Sequence, residues 1–131
     1  MIVVDASALL EVLLRTKAAP AVEAALFAPG ITLHAPHLID VEIAQVLRRY
    51  TAAGEIAQTR GSAALDDLAD LPLTRYPHDV LLPRIWTLRH NLTAYDAAYV
   101  ALAEALDAPL LTRDRRLAGA SGHSARMVVP A

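Results

Sequence analysis

The chain contains no cysteine, and that one absence excludes disulfides and thiolate metal sites. It also fits a reducing compartment such as the cytoplasm, where we expect the protein to act. Lysine is nearly absent: of twelve basic residues, only Lys17 is not arginine. No apolar run is long enough to cross a membrane. No basic segment precedes the first apolar stretch, which Asp5 and Glu11 interrupt, so a signal peptide is not expected. Repeats, low-complexity tracts and linkers are missing too. A P-loop and a convincing Ser-His-Asp arrangement are likewise absent. His34, His37, His78, His90 and His123 show no metal-ligand spacing on one helix. The net charge of −2 gives no global basic footprint for nucleic acid, although a local basic rim would suffice to hold a backbone.

What remains is a 131-residue chain, 55% hydrophobic, long enough for one domain with a real core, spanning 1–131. Its pattern alternates strand and helix. Residues 2–5, 31–35, 71–75, 110–112 and 126–129 read as strands. Helices are expected over 6–14, 21–27, 37–53, 55–69, 79–90 and 94–107, with a short one after Asp114. Pro36 opens the long third helix, and Gly54 closes it. Pro83 unsettles the first turn of the helix near 79–90. Such alternation predicts βαβ units and a parallel sheet covered on both faces. Sheets of this kind bind ligands beyond the carboxyl ends of their strands.

Four carboxylates stand where ionised groups should be rare. Asp5 ends the run Ile2-Val3-Val4, and Asp114 follows Leu110-Leu111-Thr112. Glu42 and Asp96 interrupt apolar helical patterns. Each has a plain reading when taken alone. Asp5 and Asp114 can cap the helices that follow them, and Thr93 through Asp96 resembles a capping box. Glu42 resists, because it lies well inside its helix among Leu38, Ile39, Gln45 and Val46. Together the four would repel one another unless a cation were shared among them. Mg²⁺ prefers oxygen ligands of this kind, and Mn²⁺ can substitute.

These residues fall in segments that resemble a known family. Ile2-Val3-Val4-Asp5-Ala6-Ser7 is similar to the first motif of the PIN-domain nucleases. Pro36 to Glu42, followed by Leu47-Arg48-Arg49, is similar to the second. Leu92-Thr93-Ala94-Tyr95-Asp96-Ala97-Ala98-Tyr99 resembles the third, and Leu111-Thr112-Arg113-Asp114-Arg115-Arg116-Leu117 the fourth. The compact length resembles the VapC toxins of type II toxin–antitoxin systems. The resemblance implies a Rossmann-like three-layer α/β/α sandwich with a mainly parallel sheet of four to five strands. It also implies Mg²⁺-dependent RNA cleavage, homodimerisation and inhibition by a VapB-like antitoxin. By motif position Asp5, Glu42, Asp96 and Asp114 form the acidic cluster, with Ser7 and Thr112 in support. Some members carry a further acid shortly after the position of Asp114, where this chain has Arg115, Arg116 and Leu117.

Arg49, Arg113 and Arg115 are candidate RNA contacts, alongside Arg48 and Arg116. Tyr99 reads as a packing residue with its hydroxyl at the surface, and Trp86 as an anchor between helices or at a subunit contact. Leu13, Leu14, Val22, Leu26 and Phe27 offer more apolar surface than two short helices bury by themselves. Two rivals stand beside the toxin reading. One is a PIN nuclease of RNA maturation or decay without an antitoxin. The other is a non-enzymatic regulatory domain of the receiver type, which would need a lysine late in the chain.

Overall fold

The computed structural model describes residues 1–131. Five parallel strands form one sheet: β1 (Ile2–Val4), β2 (Leu33–Pro36), β3 (Leu73–Tyr76), β4 (Leu110–Leu111) and β5 (Met127–Val128), in the order β3-β2-β1-β4-β5. The helices are α1 (Ala6–Leu13), α2 (Ala19–Leu26), α3 (Leu38–Ala52), α4 (Gln58–Asp70), α5 (Leu82–Thr87), α6 (Ala94–Leu106) and α7 (Arg115–Ala118). The result is the expected three-layer α/β/α arrangement.

β1 is central because its side chains suit burial on both faces: Val3 and Val4 are fully buried. Val3 pairs with His34 of β2 on one side and with Leu110 of β4 on the other. The strand order reverses here, so the carboxyl ends of β1 and β4 open a crevice between them. α6 runs across β1, β2 and β4, with α5 packed beside it. Seven consecutive residues of α6, Ala97 to Ala103, are buried, and four of them are alanine. Those small side chains let the helix lie close to the sheet. α3 buries one stripe, Ile39, Ile43 and Leu47, at a spacing of four residues.

Several boundaries differ from expectation for local reasons. Pro36 ends β2 instead of opening α3; it is the last residue paired with β3, opposite Tyr76. A proline has no N–H to give a ladder but can close a strand. The Leu38 N–H at the start of α3 is met by the His78 imidazole at 2.9 Å. Pro83 sits in the first turn of α5, where its missing N–H costs nothing, and a 3₁₀ turn over Asp79–Leu81 precedes it. α2 begins earlier than expected, at Ala19, with Pro20 in its first turn. The expected apolar surplus of α1 and α2 is mostly internal. Leu13, Val22 and Leu26 are buried and Leu14 is half-buried, which leaves Phe27 exposed. Trp86 is no anchor between helices: it is 67% exposed, with the Arg89 guanidinium 4.6 Å from its ring centre.

Candidate active site

Asp5 leaves the end of β1 and caps α1, its Oδ1 accepting from the Ala8 N–H at 3.0 Å. The same oxygen accepts from the Ser7 hydroxyl at 2.7 Å, and Oδ2 accepts from the Thr112 hydroxyl at 2.5 Å. Both hydroxyl protons are thereby committed to Asp5, and none is left for the 3.2 Å approach of Ser7 to Thr112. The backbone closes the knot. Arg113 N–H donates to the Ser7 oxygen at 2.9 Å, and Asp114 N–H donates to the Thr112 oxygen at 3.0 Å. Ser7 and Thr112 therefore tie the ends of β1 and β4 together through one buried carboxylate.

Three hydrogen bonds favour the ionised form of Asp5, yet its pKa is raised. Burial outweighs them, and the charge of Asp114 adds to the rise. Glu42 is also raised, first by burial and then by the charges of Asp96 and Asp5. The four acids thus share one field at the carboxyl edge of the sheet.

Asp114 caps α7, accepting from the N–H groups of Arg116 at 2.9 Å and Leu117 at 3.3 Å. Thr93 caps α6 by accepting from the Asp96 N–H at 3.1 Å. The reciprocal half of the capping box does not form. The Asp96 carboxylate turns instead to Arg116, whose Nη2 donates to Asp96 at 3.1 Å and to Asp114 at 3.2 Å.

Tyr99 departs from its expected place. Its side chain is buried, and its hydroxyl donates to Glu42 Oε1 at 2.5 Å. Burial and the neighbouring Glu42 and Asp5 charges raise its pKa, so it remains a donor. The signal was available in the spacing: Tyr99 lies three residues beyond Asp96, on the same side of α6.

The site opens into a groove of about 620 Å³ whose lining includes Ser7, Glu42, Arg49, Tyr95 and Arg113. Arg49 and Arg113 therefore stand where a ligand would pass, with one Arg113 nitrogen held by the Pro130 carbonyl. Arg115 is exposed on α7, outside the groove lining, and Arg48 bonds to Gln45.

The donor set suits a hard divalent cation, since every candidate ligand is a carboxylate oxygen. Glu42 and Asp96 each commit one oxygen to a hydrogen bond, and Arg116 already places positive charge between two of the acids. The acids do not form a closed cage. No three acidic or histidine side chains converge at metal-ligating spacing. The residues fit such an ion by the chemistry of their oxygen donors, which stand along one edge.

A parallel α/β/α sheet with carboxylates clustered at its switch point is the frame of the PIN domain, and the sequence matches the model of that family over residues 2–122. The chain belongs to the PIN-domain family, in its VapC ribonuclease branch. Ribonuclease VapC1 of Mycobacterium tuberculosis (strain ATCC 25618 / H37Rv) is 49% identical over 121 residues, covering 92% of this chain and 90% of the relative. Ribonuclease VapC12 of the same strain is 41% identical over 127 residues and covers 97% of each. Two solved structures share the fold. PAE2754 from Pyrobaculum aerophilum aligns with a TM-score of 0.71 at 23% identity, covering 96% of this chain and 81% of that one. VapBC2 from Rickettsia felis, bound to a DNA fragment from its promoter, aligns with a TM-score of 0.72 at 13% identity and covers 100% of both chains.

Proposed function

We propose that the protein is a divalent-metal-dependent endoribonuclease, the toxin of a VapBC-like pair. The observation that carries this is the clamp on Asp5 by Ser7 and Thr112, with Glu42, Asp96 and Asp114 in the same field. Kinship with proteins named ribonucleases supports RNA as the substrate. Asp5, Glu42, Asp96 and Asp114 would hold Mg²⁺, or Mn²⁺ in its place. When bound, the ion supplies charge neutralisation and acidifies a water for attack on the phosphodiester.

The protein's own groups do the remaining work. Ser7 and Thr112 hold Asp5 in one rotamer. Tyr99 orients Glu42 and keeps one of its oxygens engaged, which leaves the other free for an ion. Arg49 and Arg113 grip backbone phosphates along the groove, and Arg115 adds charge at the rim.

The partner is a VapB-like antitoxin, in keeping with the VapC names of the relatives. The protein is a homodimer, with exposed Val80, Leu82 and Trp86 as the apolar surface it would cover. No helix is long and apolar enough to cross a membrane, which is compatible with a cytoplasmic site of action.

One experiment tests the activity. Purified protein is incubated with total RNA, with Mg²⁺ or with a chelator, and the cut ends are mapped. We expect cuts at defined positions only with metal. Asp5→Asn and Asp96→Asn should each lose cleavage by about a hundredfold or more while circular dichroism stays native. Undiminished cleavage by both variants would refute the mechanism.

A further inference from the structure

We propose that Arg116 is a built-in counter-ion that a divalent cation must displace, and that it therefore sets how much metal the protein needs. This rests on the metal-site reading above.

Arg116 is the only cationic side chain within ion-pair distance of any of the four acids, and one of its nitrogens spans two of them, Asp96 at 3.1 Å and Asp114 at 3.2 Å. These residues come from different elements, α6 and the cap of α7. The guanidinium thus occupies the charge position between them that a bound cation would take.

Its surroundings suit displacement more than permanence. The Arg116 side chain is 70% exposed, while Asp96 and Asp114 are 19% and 33% exposed. A long exposed side chain leaves such a contact at small cost. α7 does not depend on it, because the helix is capped by Asp114 accepting from backbone N–H groups. Without any cation the two carboxylates would face each other uncompensated. With Arg116 in place, the metal-free protein keeps its acids together. An arriving ion exchanges for the guanidinium, which then swings free beside the groove.

The test is metal binding by the full chain, purified without partner and treated with chelator. Mn²⁺ affinity is measured by calorimetry for wild type, Arg116→Gln, Arg115→Gln and Asp96→Asn. Arg115→Gln removes the same charge from the same helix, but Arg115 makes no ion pair with the acids. We expect Arg116→Gln to bind Mn²⁺ about three- to tenfold more tightly, since each exposed ion pair contributes less than about a factor of five. Arg115→Gln should shift by about twofold or less.

A second readout is thermal unfolding. In chelator, Arg116→Gln should melt below wild type, and saturating Mn²⁺ should raise it by more than it raises wild type. Equal tightening by Arg115→Gln would reduce the effect to general charge and overturn the proposal. Unchanged or weaker Mn²⁺ binding by Arg116→Gln, with wild type binding and Asp96→Asn not, would overturn it while leaving the metal site intact. Failure of the wild type to bind Mn²⁺ would overturn both.

Discussion

At the scale of single residues, Glu42 and Tyr99 form the most informative pair. The Tyr99 hydroxyl lowers the Glu42 pKa against the rise caused by burial and neighbouring charges. Removing it as Tyr99→Phe lets that rise go further. The pH at which Mn²⁺ binding sets in should therefore move upward, measured as Mn²⁺ affinity between pH 5 and 8. The fold should lose about 1–2 kcal/mol from the missing buried bond. Glu42→Gln should act oppositely on stability. A carboxyl with a raised folded pKa contributes stability below its ordinary value of 4.5, and loses it as pH rises through the folded value. At neutral pH without metal, the ionised Glu42 is thus a cost. Glu42→Gln should melt a few degrees above wild type in chelator while binding metal poorly. A variant that melts lower in chelator would contradict this account. The four acids were legible in the sequence because each breaks an apolar pattern. Tyr99 was only half legible: its spacing from Asp96 places it on the right side of α6, but an aromatic on an apolar helix looks like any core residue. Arg116 was also hidden among its neighbours. Nothing in Arg113-Asp114-Arg115-Arg116 says which arginine folds back on the acids; the short turn of α7 decides it.

Among the elements, the link between α5, α6 and the C-terminal segment has a clear acid sensitivity. Arg84 grips both oxygens of Glu104 at 2.7 and 2.9 Å, and Ser124 donates to Glu104 from its backbone and its hydroxyl. These bonds, with the Arg84 hydrogen bond foremost, pull the Glu104 pKa down to about 2 from 4.5. A depressed carboxyl stabilises the fold above its unfolded value, and that stability drains away as pH falls from about 4.5 through about 2. Glu104→Gln should cost about 1 kcal/mol at neutral pH after allowing for the exposure of Arg84. It should also flatten the loss of urea midpoint between pH 5 and pH 3. An unaltered acid slope would remove Glu104 from the explanation. Most elements were readable from period and punctuation, and their types are as expected throughout. Two of the boundaries that moved did so at prolines. Pro36 and Pro83 each admit two placements, and only the tertiary pairing of Pro36 with Tyr76 and the packing of Leu81 and Ile85 choose between them.

For the whole molecule, the exposed apolar residues are unevenly spread. Val80 is 70%, Leu82 56% and Trp86 67% exposed within one short stretch. Such a patch is expected to be covered in solution. Trp86→Glu should convert a dimer to a monomer in sedimentation velocity without altering the circular dichroism spectrum. A wild type that sediments as a monomer would dismiss the dimer. The parallel sense of the sheet followed from alternating strands and helices, whereas this patch did not, because exposure depends on which face of α5 packs against α6.

The central place of β1 also bears on how the protein is made. Asp5 emerges from the ribosome early, but the hydroxyl that holds its second oxygen lies 107 positions later. The strand that flanks β1 opposite β2 is equally late. Synthesis runs from the N-terminus, and contacts so distant in sequence form slowly. The nascent chain therefore carries its first acid without the frame that would make it a nuclease. A chain that stops before β4 lacks both Thr112 and Asp114, and so should not cleave RNA however well its first half folds.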